Sequence, residues 1–320
     1  MTPREEARIA EWQQRSNAPV TIQLLETDAP QTGEFRRFAE ALTRLAPRVS
    51  VETRREDAPG ALPGFQTGDL ATFHLVPLGR ELSPFLTALT PDGAAPPDGA
   101  ATALSSLRAP VTLRLYVALT CPHCPMVLQQ LLGISAASEK VRLSVIDGGL
   151  FPDRAAADDI KAVPTLFLED RRWTGQVQPA EILDTLAGVA PADMSAATME
   201  RMIAEGHAME LSAMMAEEGH IFPALLDVMT HETWPVRLGA MVAVETLAEE
   251  APDVAAGLVG PLWERFETAD DTVRGDILYV IGLAGGPDDL SRLRAIAAED
   301  PAEGVREAAA EASETLADRS

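Results

Sequence analysis

The chain has 320 residues, enough for two or three domains with substantial cores. Its 26 lysine and arginine residues against 49 aspartate and glutamate residues give a formal net charge of −23 at pH 7, which argues against nucleic acid and anionic lipid as partners. Residues 1–6 lack the charged-then-apolar pattern of a signal peptide, and no apolar run is long enough to span a membrane. We therefore expect a cytoplasmic, multi-domain protein.

Two breaks in composition divide the chain. The first, Pro91–Gly99, is rich in proline and glycine, which disfavours regular structure and predicts a linker over residues 91–108. The second lies at residues 190–193, and only helical patterns follow it. These breaks predict three domains, over residues 1–90, 109–190 and 191–320.

The two cysteines of the chain, Cys121 and Cys124, lie three positions apart in a Cys-Pro-His-Cys motif. The motif directly follows the apolar run 111–118, which predicts a strand, and it precedes a helix through Met126 and Leu131. Two thiols at this spacing on a strand-to-helix turn can close a small disulfide and reopen it. A chance pair of buried cysteines is the alternative, and the succession of strand, motif and helix favours the redox interpretation.

The following helix predicts different roles for the two cysteines. Cys121 at its N-terminus would meet unpaired backbone N–H groups and the positive end of the helix dipole, which favour a thiolate. We therefore expect Cys121 to attack a substrate disulfide and Cys124, one turn further in, to resolve the mixed disulfide. Pro122 and His123 lie between the thiols and are expected to tune this step. The His123 imidazole either supplies charge or a hydrogen bond to Cys121 or is a solvated side chain.

Two metal-based interpretations of the motif are weaker. Covalent haem attachment requires a histidine directly after the second cysteine, where this chain has Pro125. A structural zinc site needs about four nitrogen or sulfur ligands. The other four histidines lie in separate segments without a second paired motif: His74, His207, His220 and His231. We discard haem, keep zinc as a minor alternative and predict no cofactor.

The segments after the motif complete a thioredoxin pattern. We predict a second strand over residues 141–147, a short helix over 151–160 and a third strand over 165–169. In the thioredoxin fold the proline before the third strand is cis and lies against the disulfide, so that the backbone of the preceding residue can pair with a bound peptide. An ordinary strand-entry proline is the alternative. Beside the cysteine motif, we favour a substrate-binding segment of Val163, Pro164 and Thr165.

Further motifs point to one family. They are Pro125 directly after the second cysteine, the segment Asp147-Gly148-Gly149-Leu150-Phe151, Val163-Pro164, and a final helix at 180–186. With these motifs, residues 111–187 resemble the second lobe in the N-terminal domain of the alkyl hydroperoxide reductase flavoprotein subunit. The resemblance covers about the first 190 residues and extends more loosely to two-lobe, glutaredoxin-like protein disulfide oxidoreductases. It implies a redox-silent first lobe with a strand at 19–22, a helix at 34–45 and a last helix opened by 77–81.

Three departures from that family affect the expected chemistry. The flavoprotein continues into flavin and nicotinamide domains, but no strand here leads into Gly-x-Gly-x-x-Gly, so we expect an external thiol or flavoprotein reductase as electron donor. The Pro122-His123 pair matches DsbA-type oxidants, which leaves the direction of electron flow open. Thioredoxins carry an acidic residue six positions before the first cysteine, where this chain has Leu115. Another group or water must therefore transfer the proton at Cys124.

Residues 191–320 contain a repeated pattern. Val236-Arg237, Val273-Arg274 and Val305-Arg306 recur at intervals of 37 and 32 residues, and each opens an apolar helix. Two helices per unit predict a short α-solenoid that resembles HEAT repeats, with an irregular helical bundle as the alternative. Methionines cluster at its start with helical spacing, which favours core packing over an adaptable binding groove. They are Met194, Met199, Met202, Met209, Met214, Met215 and Met229.

The expected fold is thus α/β with tandem thioredoxin-like lobes, the first without cysteines, followed by an all-α HEAT-like solenoid. The preferred function is a thiol–disulfide oxidoreductase that exchanges the Cys121–Cys124 pair with protein disulfides, and the resemblance implies a peroxiredoxin among its clients. The alternative is a redox-sensing adaptor or holdase that binds proteins through the solenoid. Because residues 191–320 offer no nucleophile beside a base, we expect them to dock partners.

Overall fold

A computed structural model describes residues 1–16, 18–58, 60–91, 93–169 and 171–319. Contacts divide the chain into two compact units, the N-terminal unit Met1–Val189 and the helical unit Ala190–Ser320. Among the described residues, no helix combines the length and apolar character needed to cross a membrane.

The N-terminal unit contains eight strands and seven α-helices in its described part. The strands are β1 (Val20–Glu26), β2 (Val49–Arg55), β3 (Gly64–Thr67), β4 (Ala71–His74), β5 (Val111–Val117), β6 (Val141–Asp147), β7 (Thr165–Leu168) and β8 (Arg171–Thr174). The helices are α1 (Pro3–Arg15), α2 (Thr32–Leu45), α3 (Leu82–Ala88), α4 (Ala100–Leu104), α5 (Cys124–Ala136), α6 (Pro152–Ala157) and α7 (Pro179–Ala187).

All eight strands form one sheet, in the order β2-β1-β3-β4-β6-β5-β7-β8. The order repeats one arrangement twice, because in each half a parallel pair is followed by two antiparallel strands. The halves join through parallel pairing of β4 with β6, where Phe73 lies opposite Val145. The two expected lobes therefore share a continuous sheet, and their buried side chains form one hydrophobic core.

Each half has its own centre of packing within that core. In the second half, Leu113, Leu115 and Tyr116 of β5 are fully buried, as expected for a strand that is covered on both faces. In the first half, neighbouring aromatic rings lie 5.2–5.8 Å apart between centroids. These rings are Phe35, Phe38, Phe65, Phe73 and Phe85.

The linker expected over residues 91–108 is structured in its second half, which corrects the sequence interpretation. Helix α4 begins after Gly99, whose φ of 79° lies in the left-handed region that glycine tolerates. Ala100, Leu104 and Leu107 are buried, and α4 packs against α7. Burial of this apolar face outweighs the turn-rich composition before it. Asp92 of the expected linker lies outside the described residues.

Smaller differences concern element ends. The helix expected at 151–160 ends at Ala157, and the strand expected at 19–22 continues to Glu26. Residues 77–81 precede α3, which itself begins at Leu82.

The described part of the helical unit contains nine α-helices and two short 3₁₀ turns, Pro191–Asp193 and Ala256–Leu258. The helices are α8 (Ala196–Ala204), α9 (Ala208–Glu218), α10 (Ala224–Met229), α11 (Trp234–Glu250), α12 (Pro252–Ala255), α13 (Val259–Phe266), α14 (Asp271–Ala284), α15 (Asp289–Glu299) and α16 (Glu303–Arg319).

The repeated Val-Arg pairs lie near the starts of α11, α14 and α16, and two of the arginines make equivalent contacts. Arg237 donates through Nη1 to the backbone carbonyls of His231 and Glu232, 2.7 and 3.1 Å away. Arg306 donates to the carbonyls of Asp300 and Pro301 at the same two distances. Each arginine thus binds carbonyls five and six residues before itself and fixes the turn that leads into its helix. Assignment to HEAT repeats stays a prediction.

The methionine cluster is mainly part of the core. Met209 is exposed on α9, and Met214 is half-buried. The other five are buried: Met194, Met199, Met202, Met215 and Met229.

Candidate functional site

The two cysteines lie on the turn between β5 and α5. The Cys121 N–H donates to the carbonyl of Ala118 at 2.9 Å, which closes the turn. Cys124 is the first residue of α5, and its N–H donates to Cys121 Sγ at 3.2 Å. A backbone N–H at a helix N-terminus can stabilise negative charge on the sulfur that it faces. The predicted pairing of Cys121 with the start of the helix is thus present, with Cys121 three residues before the first helical residue.

The thiols are both free and differ in their surroundings. Cys121 is 8% exposed, and Cys124 is completely buried. Burial raises the pKa of Cys124 strongly, and the hydrogen bond with Cys121 and the charge of Glu81 act in the same direction. Cys124 is therefore a protonated thiol at neutral pH and needs a proton acceptor before it can attack a disulfide.

Glu81 is a buried carboxyl close to the cysteines, and the sequence interpretation missed it. It directly precedes α3, which packs against α5. Its side chain is fully buried, and within the described residues neither carboxyl oxygen is hydrogen-bonded to another residue. Burial raises the pKa of Glu81 to about 7, its own backbone N–H acts against this, and the charge of Asp147 adds to it. A carboxyl with this pKa can accept and return a proton at neutral pH.

Asp147 provides a second buried carboxyl at the end of β6. Its Oδ1 accepts hydrogen bonds from the N–H groups of Gly149 at 2.8 Å and Leu150 at 3.4 Å. Burial raises the pKa of Asp147, although these two N–H donors act against the shift. The Asp-Gly-Gly segment is thus a turn held by its own aspartate, and the charge of this aspartate influences Glu81.

The segment Val163-Pro164 lies against the first cysteine. Its peptide bond is cis, and Cys121 Sγ lies 3.8 Å from the Val163 carbonyl oxygen. Val163 is half-buried, whereas Pro164 and Thr165 are buried. The Thr165 hydroxyl donates to the Ala162 carbonyl at 2.8 Å. The Thr165 side chain therefore lies inside the protein, and the structure does not bring it to a client-binding surface as the sequence interpretation expected.

Pro122 and His123 are the exposed residues of the motif. The Nδ1 atom of His123 lies 3.4 Å from Nε2 of Gln176, and among the described residues no hydrogen bond joins this ring to either sulfur. Tuning by His123 stays a prediction.

The metal alternative finds no support in the geometry. Within the described ranges, no group of three or more histidine, cysteine, aspartate or glutamate side chains could hold a metal ion.

Comparison with known proteins gives two kinds of similarity. No model of a protein family matches the chain. The alkyl hydroperoxide reductase AhpF of Staphylococcus aureus is 29% identical over 167 residues, which cover 50% of this chain and 32% of that protein. A Ferdinandcohnia aciditolerans protein named NADH dehydrogenase is 26% identical over 194 residues, which cover 58% of this chain and 37% of that protein. The chain spans about a third of the length of these relatives.

Two solved structures share the fold. The NTD_N/C domain of AhpF from Enterococcus faecalis matches with a TM-score of 0.51 at 17% identity, over 58% of this chain and 99% of that one. A protein disulfide oxidoreductase from Aeropyrum pernix matches with a TM-score of 0.51 at 14% identity, over 61% of this chain and 95% of that one. The N-terminal unit therefore has a thioredoxin-like fold and is related in sequence to the alkyl hydroperoxide reductase AhpF.

Proposed function

We propose that the chain is a thiol–disulfide oxidoreductase that exchanges its Cys121–Cys124 dithiol with protein disulfides. The observation that carries this proposal is the unequal environment of the two thiols. Cys121 keeps a small exposed area and its sulfur accepts an N–H, whereas Cys124 is completely buried with a raised pKa. Such a pair suits one nucleophilic and one resolving cysteine.

The exchange proceeds in two displacements. The Cys121 thiolate attacks one sulfur of a client disulfide, forms a mixed disulfide and releases the first client thiolate. Cys124 then loses its proton and attacks Cys121 Sγ, which breaks the mixed disulfide and releases the second client thiolate. Two electrons pass to the client, and the pair Cys121–Cys124 becomes a disulfide. An external dithiol or flavoprotein reductase must reduce it again.

Glu81 is the proton acceptor for Cys124 in this scheme. Its buried carboxyl has no other hydrogen-bonding partner among the described residues, and its charge acts on Cys124. A pKa of about 7 lets the carboxylate take the thiol proton during resolution and return it when the disulfide is reduced. Glu81 thus has the role for which Leu115 is unsuitable.

The relatives support the reaction class and leave the clients as proposals. Their names include an alkyl hydroperoxide reductase and a protein disulfide oxidoreductase, so a peroxiredoxin is a reasonable client to test first. We propose a cytoplasmic site of action, with neither nucleic acid nor membrane as a partner.

Insulin disulfide reduction tests the proposal. With excess dithiothreitol, the full chain should accelerate insulin reduction well above the background rate, and Cys121→Ser should return the rate to background. A wild-type rate equal to background, in a protein whose circular dichroism shows a folded state, would contradict the proposed enzyme.

The helical unit supports protein docking as a second function. Trp234, Leu238 and Val242 occur at every fourth position of α11 and are 52%, 40% and 38% exposed. An apolar stripe of this kind on a helix is typical of surfaces that bind proteins. If the insulin assay shows no turnover while the helical unit still retains protein partners, the adaptor interpretation is the better one.

A further inference from the structure

Three arginines of the N-terminal unit lack acidic partners and line one cleft. Most arginines on the sheet and on α2 pair with carboxylates, for example Arg36 with Glu26 at 2.5 Å. Arg4, Arg8 and Arg80, by contrast, form no ion pair in the described part of the chain. Unpaired guanidinium groups in a cleft are ready to bind anions, because no internal carboxylate competes for them.

The cleft lies directly beside the nucleophilic cysteine. Arg4 and Arg8 are one turn apart on α1, and Arg80 precedes α3. The opposite wall contains Pro122, adjacent to Cys121 in sequence, together with two residues of the α5 start, Pro125 and Met126. The cleft has a volume of about 630 Å³, within the usual range of ligand sites. A client segment in this cleft would continue directly into the disulfide that Cys121 attacks.

The charges around the cleft favour an acidic occupant. One carboxylate, Glu5, belongs to the lining, and it accepts hydrogen bonds from the N–H of Thr2 and the N–H of Gly79, both at 2.6 Å. Burial acts to raise the pKa of Glu5, but these hydrogen bonds outweigh it and leave the pKa lowered, so Glu5 is an anion with its own donors. Arg8 donates to the Gly79 carbonyl and to the Ser83 hydroxyl, and neither contact neutralises its charge. The lining thus has three positive charges and one negative charge.

This balance is unusual in the molecule. Residues 1–189 contain 18 basic and 23 acidic residues, and residues 190–320 contain 8 basic and 26 acidic residues. A local excess of positive charge beside the thiols therefore stands in an acidic chain. Because charges more than about 8 Å apart are largely screened at physiological salt, the cleft acts on the part of a client that enters it.

We propose that the arginine cleft, lined by Arg4, Arg8 and Arg80, selects protein clients that carry acidic residues next to the disulfide cysteine. The inference rests on the proposed function and adds a client class to it. The client carboxylates pair with the guanidinium groups, and apolar atoms of the same segment pack on Pro122, Pro125 and Met126. Each exposed pair contributes modestly, so three together should favour an acidic client on the order of 10-fold.

The test compares disulfide-linked peptides that differ only beside the cysteine. The reduced full chain is mixed with peptides that carry Glu, Gln or Lys at the flanking positions, and stopped-flow absorbance gives the second-order rate constant. At low salt the Glu peptide should react about 10-fold faster than the Gln peptide. The ratio should fall as sodium chloride rises to about 0.5 M. The wild-type salt series requires no variant and so does not depend on variant folding.

Variants assign the preference to the cleft. The triple variant Arg4→Gln, Arg8→Gln, Arg80→Gln should bring the Glu/Gln rate ratio close to 1. The double variant Arg4→Gln, Arg80→Gln keeps the Arg8 hydrogen bonds and should lower the ratio partly. A control triple variant removes the same charge from α2, outside the cleft, and should keep the wild-type ratio. It consists of Arg36→Gln, Arg37→Gln and Arg44→Gln.

Each outcome decides one question. Equal rates for Glu and Gln peptides, or a preference that survives in the triple variant, would overturn the inference while the proposed function stands. A loss of glutathione-disulfide reduction in the triple variant without any change among the peptides would assign the cleft to glutathione and likewise overturn it. No reaction of the wild type with any peptide would refute the proposed function itself.

Discussion

Replacing Glu81 with glutamine should remove a pH dependence from the stability of the N-terminal unit. The pKa of Glu81 is raised from 4.5 to about 7 by burial, and each pKa unit corresponds to about 1.36 kcal/mol. The protonated form is favoured in the folded state, so the stability that this group contributes is complete below pH 4.5 and is lost as pH rises through about 7. The wild type should therefore lose roughly 3 kcal/mol relative to Glu81→Gln between about pH 4.5 and pH 8.

The measurement needs a probe that reports on the N-terminal unit alone. Both cysteines lie in that unit, so pulse alkylation of Cys124 during urea denaturation, read by mass spectrometry, gives its unfolding free energy. Glu5→Gln is a matched control. Because the folded pKa of Glu5 is lowered below 4.5, this carboxyl is ionised in both states above about pH 5. Its removal should give a constant offset from about pH 5 to pH 8.

The same substitution tests the proton acceptor. Without Glu81, resolution of the mixed disulfide at Cys121 should slow by about 10²-fold at pH 7, the lower end of what a general base contributes. The rate should then rise with pH only as the Cys124 thiol ionises by itself, whereas the wild-type rate should level off above about pH 7. Parallel stability curves for Glu81→Gln and wild type, or an unchanged resolution rate, would refute this account of Glu81.

Three further predictions concern the thiols and the helical unit. Cys121→Ser should abolish disulfide reduction and Cys124→Ser should accumulate mixed disulfides, and faster alkylation of Cys124 than of Cys121 at neutral pH would reverse the assignment. With His123 between the thiols, the potential against glutathione should be higher than the about −270 mV of thioredoxin, and a value at or below that would exclude His123 as a tuning residue. Deletion of residues 191–320 should leave reduction of a small disulfide nearly unchanged but sharply reduce client capture by Cys124→Ser, measured by stopped flow and by mass spectrometry of trapped partners.

The sequence predicted the local parts of the fold and site well. The strands at 111–117 and 141–147, the cysteine turn and the cis peptide before Pro164 are present where the patterns and the resemblance indicated. Each of these features depends on residues close together in the chain, so apolar runs and motif spacing carry the information.

Long-range pairing explains what the sequence did not predict. Glu81 acts on Cys124 from 43 positions earlier and from the other half of the sheet, whereas the acidic residue of thioredoxins would stand at position 115. Pairing of the four-residue strand β4 with β6 has no signature in either segment. The burial of Thr165 also follows from its place between β5 and β8, which only the tertiary structure shows.

The pairing of β4 with β6 limits how far this redox unit can be reduced in size. A protein cut down to the half that contains the cysteines would expose the edge of β6, with its unpaired backbone groups, and would become a template for aggregation. It would also lack Glu81 and Arg80, which come from the half without cysteines. Anyone designing a minimal version would have to cap that edge and supply a new acid. The silent half is therefore a working part of the catalyst.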